Sequence, residues 1–295
     1  MKTTAEIDNT SLGNFKGEIK NGRLTKRDYN LYLYPLIKKT APDVLKKLIL
    51  CYYAFRIRTR IKPFRFIFLL AHMRSGSTLL THLLNSNRDI IGAAESGIFY
   101  HSKKDLLVNI YNVYLSNQSL RFRAKHVVDQ INHNRFLPNE ELLHEDNMLF
   151  IFLIRDPLKT LNSLLANPHY STTRTEKDAL FYYVSRLQKL EYYARKIDNK
   201  TCALFFTHDK LINQTNEVFM KLRAFLGLSK PLSENYRILP ITGKRSDHSV
   251  NIRKGHIMRN YETPQYHVSD LTLRIAQYFF DRCSETLSEY CSTVS

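Results

Sequence analysis

Three short apolar runs stand out along the chain, at 66–70, 149–154 and 202–206. Apolar runs of five or six residues without alternation fit strands buried on both faces of a parallel sheet. Each run precedes residues with helical spacing. Leu79, Leu80, Leu83 and Leu84 follow the first, and Leu161, Leu164 and Leu165 the second. Val218, Phe219, Leu222, Phe225 and Leu226 follow the third and stop at Gly227, a residue suited to a helix C-terminus. A longer amphipathic helix is predicted over 177–197, with Leu180, Val184, Leu187, Leu190 and Ala194 on one face. Another is predicted over 269–290. Strands alternating with helices predict an α/β domain with a central, mainly parallel sheet flanked by helices in three layers.

The first 60 residues read differently. Residues 1–39 are polar and irregular, with a tyrosine-rich stretch near 29–34. Thr40 and Asp43 mark a helix start, and Val44, Leu45, Leu48, Cys51, Tyr52 and Phe55 continue at helical spacing. Arg56, Arg58, Arg60 and Lys62 follow, and Pro63 closes the segment. That basic cluster is a solvated helix end or a patch for an anionic surface. The chain therefore divides into a partly helical extension, 1–60, and an α/β domain, 61–295.

Composition narrows the partners. The 295 residues are 43% hydrophobic and 24% charged, which suits a folded domain with a sizeable core. Lysine and arginine number 44 against 27 acids, a net charge of +17. Such a surplus predicts an anionic partner: nucleic acid, a membrane face, or a phosphorylated or sulfated small molecule. The N-terminus lacks the apolar core of a secretory signal, and no run of about 18 apolar residues offers a span. Four scattered cysteines without CxxC or zinc spacing predict free thiols in a reducing compartment. A cytoplasmic setting and the absence of a bound metal are the matching expectations.

The sharpest motif lies between the first strand and its helix: His72-Met73-Arg74-Ser75-Gly76-Ser77-Thr78. A strand, a tight turn and a helix N-terminus make an anion site from backbone N–H groups and the helix dipole. Gly76 lets the backbone approach a ligand. Ser75, Ser77 and Thr78 add hydroxyls, and Arg74 adds a guanidinium fork suited to phosphate or sulfate. The GxxxxGK[ST] loop of nucleotide hydrolases is absent, since the first glycine and the lysine are both missing. A second motif, Arg155-Asp156-Pro157, ends the second strand, and Ser163 lies eight residues after Arg155. Strand ends of that kind border ligands in open α/β sheets. With a helix starting near Leu158, both side chains reach one phosphate. An ordinary turn with a surface ion pair reads equally from R-D-P alone.

Taken together, the R-S-G-S-T loop and the Arg155…Ser163 pair resemble the sulfotransferase superfamily. Its members use 3′-phosphoadenosine 5′-phosphosulfate (PAPS) and have a P-loop-type fold. The arginine in the loop looks more like the tyrosylprotein and bacterial branches than like members with lysine there. The resemblance implies that Arg74, Ser75, Gly76, Ser77 and Thr78 hold the 5′-phosphosulfate, and that Arg155 and Ser163 hold the 3′-phosphate. Asn87 to Ile91 followed by Glu95 is similar to the family stretch that ends in an acidic general base, which makes Glu95 the candidate base. A helix-capping glutamate is the plain alternative, and His72 and His101 are alternative bases. His208-Asp209-Lys210-Leu211 and Phe225-Leu226-Gly227-Leu228 resemble two further family segments, with His208 in place of the usual tyrosine. Arg253-Lys254-Gly255 resembles a clamp on the 3′-phosphate, and equally reads as a solvated basic turn. Lys125 lies where some relatives place a catalytic lysine, although a solvated surface lysine reads better. The resemblance spans about 64–255, leaves 100–144 unmatched, and implies no required metal. In the family layout the basic, aromatic region 100–135 faces the acceptor, and it reads equally as packing helices on the lid.

The expected activity is transfer of a sulfuryl group from PAPS to a hydroxyl of a sugar, glycolipid, peptide or small metabolite. The acceptor is anionic or membrane-associated if the rest of the charge surplus serves it, and no nucleic-acid partner is expected. A P-loop phosphotransferase using ATP, a non-enzymatic anion- or nucleic-acid-binding protein, and a sulfotransferase-like protein without catalysis are the competing readings.

Overall fold

The computed structural model describes residues 51, 55, 63–93, 95–117, 124–166, 173–239, 250–260 and 265–294. Cys51 and Phe55 are helical. The rest of the predicted extension, with the Thr40 helix start and the 56–62 basic cluster, lies outside the described residues.

The chain alternates β1 (Arg65–Ala71), α1 (Ser77–Ser86), β2 (Ile90–Ala93), α2 (Lys103–Asn117), β3 (His126–Ile131), β4 (Met148–Ile154), α3 (Pro157–Leu165), α4 (Glu176–Ile197), β5 (Ala203–Thr207), α5 (His208–Asn213), α6 (Thr215–Leu226), α7 (Asp270–Tyr290) and β6 (Ser292–Thr293). The strands form one sheet in the order β2-β3-β1-β4-β5-β6. Every pairing is parallel. The three-layer α/β fold expected from the sequence is the fold observed.

Alternation along β1 builds both outer layers. Phe66, Phe68 and Leu70 pack into the core that holds Leu187, Leu190, Ala276 and Leu287 of α4 and α7. Ile67, Leu69 and Ala71 pack into the opposite core with Leu80, Leu83, Phe219 and Leu222 of α1 and α6. Strands with side chains buried on both faces favour continuous apolar runs, as in β4 and in β1 after Arg65. Each such leucine or phenylalanine contributes about 2 kcal/mol by leaving water.

Helix ends follow local chemistry. Asp156 caps α3 by accepting from the Lys159 N–H at 2.9 Å, and Pro157 takes the first turn. R-D-P is thus a helix cap that leaves Arg155 at the strand end. Gly227 ends α6 with φ 61°, and the Leu228 N–H closes onto the Arg223 carbonyl at 3.0 Å.

Two expectations need correction in detail. The buried face of α4 carries Ala179, Tyr183, Arg186, Leu187, Leu190, Ala194 and Ile197, whereas Leu180 and Val184 are only partly buried. Tyr183 and Arg186 can turn inward because strand-end carbonyls receive their polar ends. Strands β2, β3 and β6 have no counterpart among the predicted runs. β3 reads HVVDQI, yet every residue in it is buried.

The strand order reverses at β1, between β3 and β4. Open α/β sheets place their ligand crevice at the carboxyl ends of strands around such a point. The loops after β1, β3 and β4 and the start of α5 after β5 meet there.

Candidate active site

The loop after β1 is folded by two left-handed residues, Arg74 with φ 67° and Gly76 with φ 91°. A turn of this kind directs successive N–H groups inward. Gly76 also N-caps α1, whose first turn takes no side-chain cap among the described residues. The helix N–H groups there keep their capacity for an anion. Ser75 is fully buried, and its Oγ has no hydrogen-bond partner among the described residues. A buried hydroxyl left in that condition costs about 1–3 kcal/mol unless a ligand or water completes it. A Cβ on Gly76 would come within 2.5 Å of His208 Cδ2, so glycine is required both by φ and by the neighbouring ring.

His72 ties this loop to the end of β4. Its Nδ1 faces the Met73 carbonyl at 2.8 Å, and its Nε2 receives the Arg155 N–H at 3.0 Å. Accepting at Nε2 places the proton on Nδ1. Burial, with Arg155 and Arg186 nearby, pushes the imidazole down to about 3. The ring is a neutral structural tie with both nitrogens committed, which removes it as a base. His208 is likewise pushed down to about 3, by burial first and then by Arg155, Lys159 and His72.

Arg155 is buried, and its Nη1 donates to the Arg74 carbonyl at 3.0 Å. Arg74 Nε donates to Ser163 Oγ at 2.7 Å. Ser163 sits on the buried face of α3, nearly two turns in. Arg74, Arg155 and Ser163, which the sequence assigned to two separate phosphates, thus form one contiguous basic cluster. Ser77 and Thr78 open α1 beside it.

Glu95 lies on the other side of α1, after β2. Its backbone is left-handed with φ 36°, a strained state held by its surroundings. Asn132 Nδ2 donates to its Oε1, and Gln130 Nε2 does so at 3.4 Å. The same amides reach α1, because Ser77 Oγ donates to Asn132 Oδ1 at 3.2 Å and Thr81 Oγ1 to Gln130 Oε1 at 3.0 Å. One network therefore joins the candidate base to the anion loop. The Glu95 loop is pinned by buried Asp129, which accepts from the Ser96 N–H at 3.0 Å and from the Ser96 and Tyr100 hydroxyls. Burial raises the Asp129 carboxyl above its ordinary range.

Two side chains of α4 lock these loops together. Tyr182 OH receives the Met73 N–H at 2.7 Å and donates to the Asn132 carbonyl at 2.8 Å. Arg186, 1% exposed, donates to the Ala71 carbonyl at 2.7 Å, to Asn134 Oδ1 at 2.9 Å and to the Ile131 carbonyl. Burial lowers it to about 10, so it stays charged at neutral pH.

The remaining sequence candidates lie elsewhere. Gly255 has φ 74° and accepts from the Tyr236 N–H at 2.8 Å. Arg253 and Lys254 are exposed, and among the described residues neither bonds to the Arg74–Arg155–Ser163 cluster. His101 is exposed and stacks on Phe99. Lys125 precedes β3 at the opposite edge of the sheet and pairs with Asp89 at 3.4 Å, as a surface lysine. The four cysteines are free thiols. Among the described residues no group of three or more His, Cys, Asp or Glu is arranged to hold a metal ion, and no helix is long and apolar enough to cross a membrane.

Sequence reasoning missed Asn132, Gln130, Asp129, Tyr182 and Arg186. Arg186 carried one usable signal, a charge on the apolar stripe of a long amphipathic helix.

No family model matches the chain, and no curated protein matches it. Solved structures do. The sulfotransferase domain from the curacin biosynthetic pathway is 14% identical, with a TM-score of 0.42 over 74% of this chain and 98% of that one. The sulfotransferase domain from the Synechococcus PCC 7002 olefin synthase is 16% identical, with a TM-score of 0.42 over 75% and 96%. Mouse sulfotransferase SULT7A1 complexed with PAP is 16% identical, with a TM-score of 0.43 over 77% and 89%. At these identities and TM-scores the likeness assigns neither a family nor an activity to this chain.

Proposed function

We propose that the protein is a PAPS-dependent sulfotransferase acting on a hydroxyl acceptor. One observation carries the reading. The glycine-turned loop before α1, with its buried Ser75 Oγ that has no partner among the described residues, is continuous through Arg74 with Arg155 and Ser163. A donor with phosphates at two ends needs two anion positions.

When bound, the donor supplies a sulfuryl group whose bond to the bridging phosphate oxygen breaks as a bond to the acceptor oxygen forms. The chain's own residues do the rest. The loop N–H groups, Ser75, Ser77 and Thr78 hold the 5′ end, with the α1 dipole favouring negative charge. Arg155 and Ser163 hold the 3′-phosphate, and Arg74 lies between the two ends. Its guanidinium stabilises charge on the departing phosphate by the electrostatic logic of phosphoryl transfer. Glu95, oriented by Asn132 and Gln130, takes the acceptor proton. Arg253, Lys254 and Gly255 complete the 3′-phosphate site if their loop swings in on binding. The chemistry names no role for a metal, and the site is assigned to the cytoplasm as an expectation of the sequence.

Thermal stabilisation by 3′-phosphoadenosine 5′-phosphate (PAP), AMP and ATP tests the reading. PAP stabilises the fold most. Equal shifts with all three ligands, or a magnesium-dependent preference for ATP, contradict it.

A further inference from the structure

Next to Glu95 the sheet edge carries aromatic and basic groups that cofactor binding leaves unused. A single 3-10 turn, Asn134–Phe136, follows β3. It is fixed from both ends: Arg186 Nη1 donates to Asn134 Oδ1 at 2.9 Å, and the Phe136 N–H bonds to the His133 carbonyl at 3.1 Å. The Phe136 ring meets Phe99 at 5.0 Å, and Phe99 is 39% exposed. His133 stands edge-on to both Phe136 and Tyr182. These rings form a shelf beside the candidate base. Phe99 is four residues past Glu95 on the loop pinned by Asp129, and His133 directly follows Asn132, which holds the Glu95 carboxylate.

Arg135 gives the shelf its charge. Its guanidinium carbon lies 4.5 Å from the Phe136 ring centroid. Among the described residues it makes no hydrogen bond or ion pair. A guanidinium over a ring loses water from one side and keeps N–H donors for an anion. Three acids of the 100–145 stretch have other partners: Asp105 accepts from the His101 and Ser102 N–H groups at 2.8 Å, Glu140 pairs with Lys196 at 3.3 Å, and Glu145 pairs with Lys103 at 2.6 Å.

Resting on the sulfotransferase reading, we infer that the Phe99–Phe136 shelf and Arg135 form the acceptor subsite, and that its ligand is a ring-bearing alcohol or phenol carrying a carboxylate or sulfate group. The ring lies against the phenylalanines, the anionic group takes the Arg135 fork, and the reacting hydroxyl is left facing Glu95. Arg135 is then the residue that sets acceptor charge specificity.

Two pairs of probes that differ only in charge test this: phenyl β-D-glucuronide against phenyl β-D-glucoside, and 4-hydroxybenzoate against its methyl ester. Binding to the full chain is titrated by ligand-observed NMR. The charged member binds about tenfold tighter in at least one pair, the yield of a charge-assisted bidentate contact. Arg135→Ala brings that ratio to about one, Arg135→Lys leaves an intermediate ratio, and Phe136→Ala weakens both members. A preference for the neutral member in both pairs, a ratio that survives Arg135→Ala, or no binding of either charged probe overturns the inference. Thermal shift with PAP is measured on the same samples. PAP stabilisation without charged-ring preference overturns the inference alone. Absence of PAP stabilisation overturns the donor reading on which it rests.

Discussion

The two sides of α1 solve different problems. On the β4 side, Arg74 bonds to both Arg155 and Ser163, and His72 ties the loop to the end of β4. Charge is concentrated there and the backbone is fixed before any ligand arrives. On the β3 side a single carboxylate, Glu95, is steered by two neutral amides, with the buried Arg186 guanidinium in electrostatic range but not bonded to it. A group meant to hold anions needs donors packed together. A group meant to take a proton needs orientation by neutral donors and no direct ion pair. Asn132 connects the two sides through Ser77, so the placement of the base depends on the start of the anion loop's helix.

Substitutions separate the sides. Glu95→Gln has the largest expected effect. It keeps PAP stabilisation and lowers sulfuryl transfer about 10²–10⁴-fold, the range for a lost general base. Turnover assays with either probe class read this, and full activity in the variant removes Glu95 from proton transfer. Gly76→Ala strikes the other side. Its φ of 91° and the 2.5 Å approach to His208 cost about 2–4 kcal/mol, read as a fall in unfolding midpoint with loss of PAP stabilisation. Unchanged stability would mean that the loop is not built on that contact.

Acid comes next. His72 and His208 at about 3 and His126 at about 4 are held neutral in the fold, while unfolded histidine titrates near 6.5. The unfolded chain binds the extra protons between those values. Stability is therefore complete above pH 6.5 and falls as the pH drops, by about 2 kcal/mol per histidine between pH 7 and 5. Asp129, raised by burial, works in the opposite sense. Denaturant midpoints against pH check the slope, and His208→Gln removes one share of it. Smallest is Asn132→Ala. As a positioning change it lowers kcat about tenfold with acceptor KM nearly kept, and an equal rise in KM would argue for a direct acceptor contact instead.

The same contrast explains what the sequence reveals. Strands β1, β4 and β5 are continuous apolar runs, and the donor-side groups lie in contiguous motifs whose chemistry follows from strand, turn and helix start. β3 escapes because its two buried faces carry His126, Asp129 and Gln130. Two of these are partnered across the fold, Asp129 by Ser96 and Tyr100 and Gln130 by Thr81. β2 has only four residues and β6 only two, too few to carry a period. Arg186 bonds to Ala71, 115 positions away, and Tyr182 to Met73, 109 away. Contacts at that separation have no local pattern. Glu95 was reachable by its distance from Arg74, but the amides that orient it were not.

The central claim is that Arg155 and Ser163 form a position for a phosphate that AMP lacks. Its most direct test is the ratio of PAP to AMP affinity, by calorimetric titration, in the parent chain and in Arg155→Ala. The parent prefers PAP by about 100-fold or more, equivalent to a charge-assisted bond of roughly 3 kcal/mol. In the variant the ratio collapses towards one while AMP binding is largely kept. A parent chain that binds PAP and AMP equally, or a ratio untouched by Arg155→Ala, contradicts the claim.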